Sequence, residues 1–457
     1  IVRDLGAGVW CALPRLVPAD SLATLPRAAL PNPWSNEHDA VRLTATNRAT
    51  RFAAVATLWG VMQHFYPYFD APPYDGSTID WEGALRRGLL SAATDPDEVA
   101  FERTLRLMLA RLYDGHGSIR GPGSRFGSTM PLALAWAGND LVVSGKGESA
   151  PPEITIGDAL LSINERPLSE WVRQVSAEIS GATDGWVLHL VASQLPRSPF
   201  ESPDATDPCR AEFQRPDGTR YEALVASASL DRIEEPAFER PAPGAELAPG
   251  IRYFDLNAAE NAALTEAMPA LAKADGIVFD LRGYPGSAAY KLMEHLIDGP
   301  ATSAQWNVPI VTRPDGEGWE WNTGGRWQLK PAKPRLTAQI AFVTDGRAIS
   351  YAESIMGIVE AYELGEIVGA TTAGTNGNVN PITLPGGFVV SWTGMKVLKH
   401  DGSRHHGIGI RPTVPVSPTA SGIAAGRDEV LERAVEVLKA RISDSAARGD
   451  AKAADSP

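Results

Sequence analysis

A serine at the junction of a strand and a helix, a histidine held between two glycines, and a turn built from two glycines and a proline are the groups of this sequence best suited to chemistry. Ser350 follows the apolar run Gln339 to Val343, which reads as a buried strand, and the turn signal Asp345-Gly346. From Ser350 on, Ile355, Ile358 and Val359 take up helical spacing. Helix N–H groups and the positive end of the helix dipole favour an oxyanion beside such a serine, which is what an acyl-transfer nucleophile requires. Ser350 with Glu353 three residues on also satisfies a capping box, in which the serine oxygen merely accepts from the first helical N–H groups. On this stretch alone both readings stand.

His116 sits in Leu112-Tyr-Asp-Gly-His-Gly-Ser118, just past a helix end. The flanking glycines leave its backbone free to bend, so the ring is placed to reach a distant partner, or else is a loop histidine at a helix C-terminus. The strand Gly276 to Asp280 ends in Leu-Arg-Gly-Tyr-Pro-Gly286 directly before a helix. Backbone N–H groups in such a turn point outward together, as an oxyanion hole needs, although a turn with no function uses the same residues. Asp280 and Arg282 read as a local ion pair bracing it.

These groups must be carried by several units. At 457 residues and 44% apolar content the chain is long enough for two to four domains. Residues 1–47, with Pro14, Pro18, Pro26, Pro31 and Pro33, read as irregular structure in keeping with the remains of a preceding domain. Val55, Leu58, Trp59 and Met62, then Phe101, Leu105, Met108, Leu109 and Leu112, repeat at helical spacing, so 48–125 is a helical unit of three helices, Trp81 to Ala92 in the middle, that ends in the His116 loop. Residues 126–234 turn β-rich, with strands expected at Leu132 to Trp136, Asp140 to Ser144, Ala159 to Ile163, Trp186 to Ala192 and Tyr221 to Val225. Residues 235–249, rich in proline, read as a linker. An α/β rhythm fills 250–442, closed by an amphipathic helix with Val430, Leu431, Ala434 and Leu438 on one face, and 443–457 is expected to be disordered.

Ile156 to Leu168 resembles the segment by which PDZ domains turn into a strand and on to their next loop; such domains bind peptide ends by strand addition, and a packing module accounts for the segment equally well. Asp280 to Gly286, Ile349 to Glu353, Gly369 to Asn378, Gly407 to Val416 and Gly426 to Leu431 resemble, in order, the tail-specific (C-terminal processing) serine protease family. The resemblance is close over about 250–440 and extends to 48–440 through the His116 loop and the PDZ-like segment. It implies an α+β multi-domain protein: an N-terminal helical bundle, a small PDZ-like β domain, and an α/β catalytic core with a mixed, crotonase-like sheet. It also implies Ser350 as nucleophile, with the N–H groups of Tyr351 and Gly286 as oxyanion hole.

Many members use a lysine base in a Gly-Lys-Gly context downstream of the serine; here that region reads Asn376-Gly-Asn378. Others, similar to the tricorn protease core, use a histidine from far upstream, which His116 matches. A histidine near its ordinary pKa activates a serine well at neutral pH. Tricorn-like sites also have a carboxylate acting through a further hydroxyl. The region expected to supply it reads Arg404-His-His-Gly407, so the third member stays unassigned, with Asp114 and Ser118 as nearby orienting residues.

The reading is therefore a serine endopeptidase acting through an acyl-enzyme, Ser350 attacking and His116 serving as base. The alternatives are a non-catalytic peptide-binding or scaffold protein of the same fold, and an esterase using the same residues. No cofactor and no metal are implied: adjacent His405 and His406 point apart on a strand and are expected to be solvated, with Asp401 across a Gly-Ser turn. The partner is a polypeptide substrate. A net charge of −13, from 42 Lys plus Arg and 55 Asp plus Glu, with no basic cluster, argues against nucleic acid. No run approaches a membrane span. The first residues do not form a signal peptide; the resemblance implies an exported protein, periplasmic or extracellular. Cys11 and Cys209 have no CxxC or metal-ligand neighbour.

Overall fold

The computed structural model describes residues 2–4, 10–12, 43–71, 73, 75–122, 127–201, 205–228, 240–311 and 319–454. Within 1–47, expected to be irregular, strands β1 (Val2–Asp4) and β2 (Trp10–Ala12) pair antiparallel, and most of the remainder lies outside the described residues.

Three helices follow: α1 (Arg48–Phe65), α2 (Trp81–Thr94) and α3 (Glu98–Leu109). Each starts where an Asn or Asp side chain accepts from a first-turn N–H: Asn47 from Ala49, Asp80 from Gly83, Asp97 from Ala100. Their apolar stripes bury Val55, Leu58, Met62, Phe101 and Leu105 in one core. That core is closed by Phe388, Val390 and Trp392, contributed from far along the chain. Past α3 the chain turns at Tyr113, in the left-handed region at φ 54°, and passes through His116 into β3 (Ser118–Arg120).

The next unit contains β4 (Leu132–Ala137), β5 (Asp140–Lys146), β6 (Ala159–Ile163), β7 (Arg166–Pro167), α4 (Leu168–Ala177), α5 (Asp184–Gln194), α6 (Ser198–Glu201), β8 (Cys209–Gln214) and β9 (Arg220–Val225). Its sheet order is β4-β5-β6-β8-β9. Trp186 to Ala192, expected as a strand, is helix α5. Thr183 accepts from Trp186 N–H at its start, and Val187 and Val191, four apart, bury one face against β4. An apolar run this short is ambiguous between the two periods, and the capping threonine decides it.

Residues expected to be a linker are part of the core where they are described: β10 (Glu246–Ala248) pairs antiparallel with β11 (Ile251–Asp255), and Arg240 grips Asp255 at 3.1 Å. The core then runs α7 (Asn261–Leu271), β12 (Gly276–Asp280), α8 (Ala288–Leu296), β13 (Ala301–Thr302), β14 (Gln305–Ile310), β15 (Glu320–Gly325), β16 (Gln328–Leu329), β17 (Gln339–Thr344), α9 (Tyr351–Ala361) and β18 (Glu366–Gly369). It closes with β19 (Val379–Thr383), β20 (Val389–Thr393), β21 (Lys396–Leu398), β22 (Val414–Pro415), α10 (Ala420–Ala424) and α11 (Glu429–Ala454).

The principal sheet, β10-β11-β12-β17-β18-β22, is parallel except for the β10–β11 pair. Alternate residues serve opposite faces. Ile277, Phe279, Ile340 and Phe342 meet α7, α8 and α9, while Val278, Ala341, Val343 and Val368 meet α11 through Val430, Leu431, Ala434 and Leu438. Helix α11 runs to Ala454, so most of the stretch expected to be disordered is helical, in keeping with its alanine, arginine and lysine content. Arg282 ties the layers together, donating to Asp280 from within its own turn and to Asp428 just before α11 at 2.6 Å.

Candidate active site

Strand β17 delivers Ser350 to the N-terminus of α9 in an unusual conformation. Its backbone stands at φ 59° and ψ −110°, outside the regions comfortable for a residue with a Cβ. Neighbours hold it there: its N–H donates to Thr375 O at 2.9 Å, and its carbonyl accepts from Ser354 N–H at 3.0 Å. The side chain makes no capping hydrogen bond. The capping-box reading is thereby corrected on both sides, because Glu353 turns the other way. Fully buried, Glu353 accepts from Gly374 N–H at 2.8 Å, Thr375 N–H at 2.7 Å and the Thr372 hydroxyl, and lies 3.1 Å from His405 Nε2. Burial raises its pKa, but His405 and these donors outweigh that and hold it below the usual glutamate value.

The His116 loop reaches the same place. Thr375, whose carbonyl holds Ser350, accepts from Gly115 N–H through its hydroxyl at 2.9 Å. One residue thus fastens both the neighbour of His116 and Ser350 itself.

His116 Nδ1 lies 2.9 Å from Thr393 Oγ1, at the end of β20. Thr393 Oγ1 donates to Asp114 Oδ1 at 2.6 Å, and Thr393 N–H donates to Asp114 Oδ2 at 2.6 Å. Asp114 is buried, and accepts also from His116 N–H at 3.1 Å. A hydroxyl has a single proton. Since the Thr393 proton goes to the carboxylate, its oxygen accepts from His116, which assigns the imidazole proton to Nδ1 and leaves the Nε2 lone pair available. Burial lowers the pKa of His116 below its ordinary 6.5, opposed by the charges of Asp114 and Glu353.

Asp114 and Ser118 are the residues expected from the sequence to orient the ring. Asp114 is linked to it through Thr393, a residue the sequence reading does not single out. Ser118 instead pairs with Ser391 at 2.8 Å, and Ser391 donates to the His116 carbonyl at 2.7 Å. Thr393 lies beyond any local motif, and only the register of β20 on β3 brings it to the ring. In the Asn376-Gly-Asn378 region, Asn376 is buried and accepts from Ser354 Oγ at 3.0 Å.

The two N–H groups expected to bind an oxyanion differ in their surroundings. Tyr351 N–H, first in helix α9, finds no backbone acceptor among the described residues, as its position requires. Gly286 N–H, expected to be its companion, donates to Leu256 O at 3.1 Å. In the same turn, Gly283 and Tyr284 N–H have no acceptor among the described residues.

The unit of β4–β9 supplies the braces. Ser180 Oγ accepts from Asp114 N–H at 2.9 Å, Thr183 Oγ1 donates to Thr372 O at 3.1 Å, and Gly185 packs so closely on Gly346 that a Cβ on Gly346 meets Gly185 backbone at 2.5 Å. His405 and His406, expected to be solvated, are buried: His405 beside Glu353, His406 stacked on Tyr68 at 3.9 Å. Among the described residues no group of three His, Cys, Asp or Glu side chains is arranged to hold a metal, and no helix is long and apolar enough to cross a membrane.

Residues 250–416 match the family model described as peptidase family S41. No curated protein sequence matches the chain. Among solved structures, mature CPAF complexed with lactacystin has a TM-score of 0.66 at 14% identity, covering 87% of this chain and 99% of that one. Mature CPAF has a TM-score of 0.67 at 14% identity, and a CPAF serine-to-alanine mutant 0.68 at 13%, each covering 87% of this chain and 98% of theirs. At these identities the likeness is one of fold.

Proposed function

We propose that the chain, whose residues 250–416 match the model of peptidase family S41, is an endopeptidase of the tail-specific serine protease kind with Ser350 as nucleophile and His116 as general base. The observation that carries the reading is the Asp114–Thr393–His116 relay, which fixes the ring tautomer so that Nε2 is the free acceptor. Ser350 Oγ attacks the peptide carbonyl as His116 Nε2 takes its proton, and the imidazolium returns that proton to the leaving amine. Tyr351 N–H and the N–H groups of Gly283 and Tyr284, which have no acceptor among the described residues, receive the developing negative charge on the carbonyl oxygen. Water then releases the acyl group by the same steps in reverse order.

The PDZ-like and crotonase-like descriptions of the two β-containing units, and an exported location, belong to this reading and rest on the resemblance of the motifs. Ser350→Ala and His116→Ala each abolish hydrolysis of an unfolded protein substrate, and a fluorophosphonate probe labels the unsubstituted chain at Ser350. Full activity in either variant, or no labelling, sinks the mechanism. An ester in place of the peptide tests the esterase alternative in the same assay.

A further inference from the structure

A line of aromatic rings starts beside Ser350 and leads away across the core unit. Tyr351 follows Ser350 directly, and its ring centroid lies 5.6 Å from that of Trp327 and 6.1 Å from that of Tyr284. Trp327 in turn meets Tyr290 at 5.4 Å and Trp306 at 5.2 Å. Two of the hydroxyls are tied back: Tyr351 OH accepts from Tyr290 N–H at 3.2 Å, and Tyr290 OH donates to Gln328 O at 3.1 Å. These bonds hold the rings in one orientation and leave faces and edges as the surface available for contact.

Tyr284 is the most exposed of the five, with 55% of its surface accessible. Its backbone is nevertheless fixed. Gly283 at φ 143° precedes it, Pro285 follows it, and its carbonyl accepts from Ala258 N–H at 3.1 Å. A tyrosine held firmly in water at this turn contributes little burial to the fold, but it is a contact surface whose ordering cost is already met before anything binds.

We propose that Tyr284, backed by Tyr351 and Trp327, receives a large apolar or aromatic side chain adjoining the scissile bond of a polypeptide substrate; this rests on the reading of Ser350 as nucleophile. Its position supports that occupant, because Tyr284 belongs to the turn that faces the reacting carbonyl in that reading, and its ring adjoins the residue following Ser350.

The test uses the full chain carrying Ser350→Ala, so that binding is read without turnover. It is titrated by fluorescence anisotropy with short labelled peptides identical except for Phe, Ala or Lys at one central position. The Phe peptide binds about tenfold more tightly than the other two, Tyr284→Ala in the same background removes the difference, and Tyr284→Phe keeps it. Equal affinities, no binding by any peptide, tighter binding of the Lys peptide, or a Phe preference that survives Tyr284→Ala overturns the proposal. Failure of the nucleophile assignment is read separately, as peptide cleavage by the Ser350→Ala chain.

Discussion

Thr393 and His116, 277 residues apart in sequence, are joined through Oγ1 and Nδ1 at 2.9 Å, and the direction of that bond is set by the Thr393 proton going to Asp114. On the proposed mechanism this threonine does the orienting that a carboxylate more often does directly. Thr393→Val keeps the shape and removes the hydroxyl, freeing the ring to adopt the wrong tautomer. The expected result is a fall in kcat of about 100-fold with KM little changed, and recovery in Thr393→Ser. An unchanged kcat in Thr393→Val removes the relay from the mechanism.

The pH dependence follows from the burial of His116, which lowers its pKa below 6.5. A base works only when neutral. The acid limb of kcat/KM therefore has its midpoint below pH 6.5, and activity persists to more acid conditions than a solvent-exposed histidine allows. A pH–rate profile with its acid midpoint above 6.5 contradicts this.

Ser350 is held at positive φ without a capping bond in return. Glycine tolerates that conformation, so Ser350→Gly relieves strain and raises stability by roughly 1 kcal/mol while eliminating hydrolysis. Urea unfolding of the two proteins measures it; a destabilised glycine variant shows that the serine side chain contributes contacts outweighing the strain.

Ser180 accepts the buried N–H of Asp114. Ser180→Ala leaves that donor without its acceptor and loosens the residue that orients Thr393. It costs about 1–3 kcal/mol of stability and lowers kcat more than KM. Thermal unfolding beside steady-state kinetics separates the two effects, and a purely structural role leaves kcat intact.

The sequence made several of these groups legible because each announces itself locally. Ser350 follows an apolar run and a turn, His116 lies between glycines, and the α11 stripe of Val430, Leu431, Ala434 and Leu438 repeats at helical spacing and is buried as that spacing requires. Thr393 gives no such sign. It is an ordinary β-branched residue at a strand end, and its role arises from antiparallel pairing between β20 and β3, which single-sequence patterns do not encode. Glu353 misled for the opposite reason: its spacing from Ser350 fits a cap, yet tertiary donors from Gly374 and Thr375 compete successfully for its oxygens. Gly286 likewise fits a motif, but its N–H is taken by Leu256. Helix α5 differs from the strand expected there because four to eight apolar residues satisfy either period.

The parts that surround Ser350 and His116 leave the ribosome at different times. The His116 loop is made early, the Ser180 brace later, and Ser350 and Thr393 only in the last quarter of the chain. Until β20 has emerged and paired with β3, nothing orients the imidazole, and until Thr375 exists nothing clamps Ser350 into its strained posture. On the proposed mechanism, a chain cut short before β20 is therefore inert toward peptide bonds.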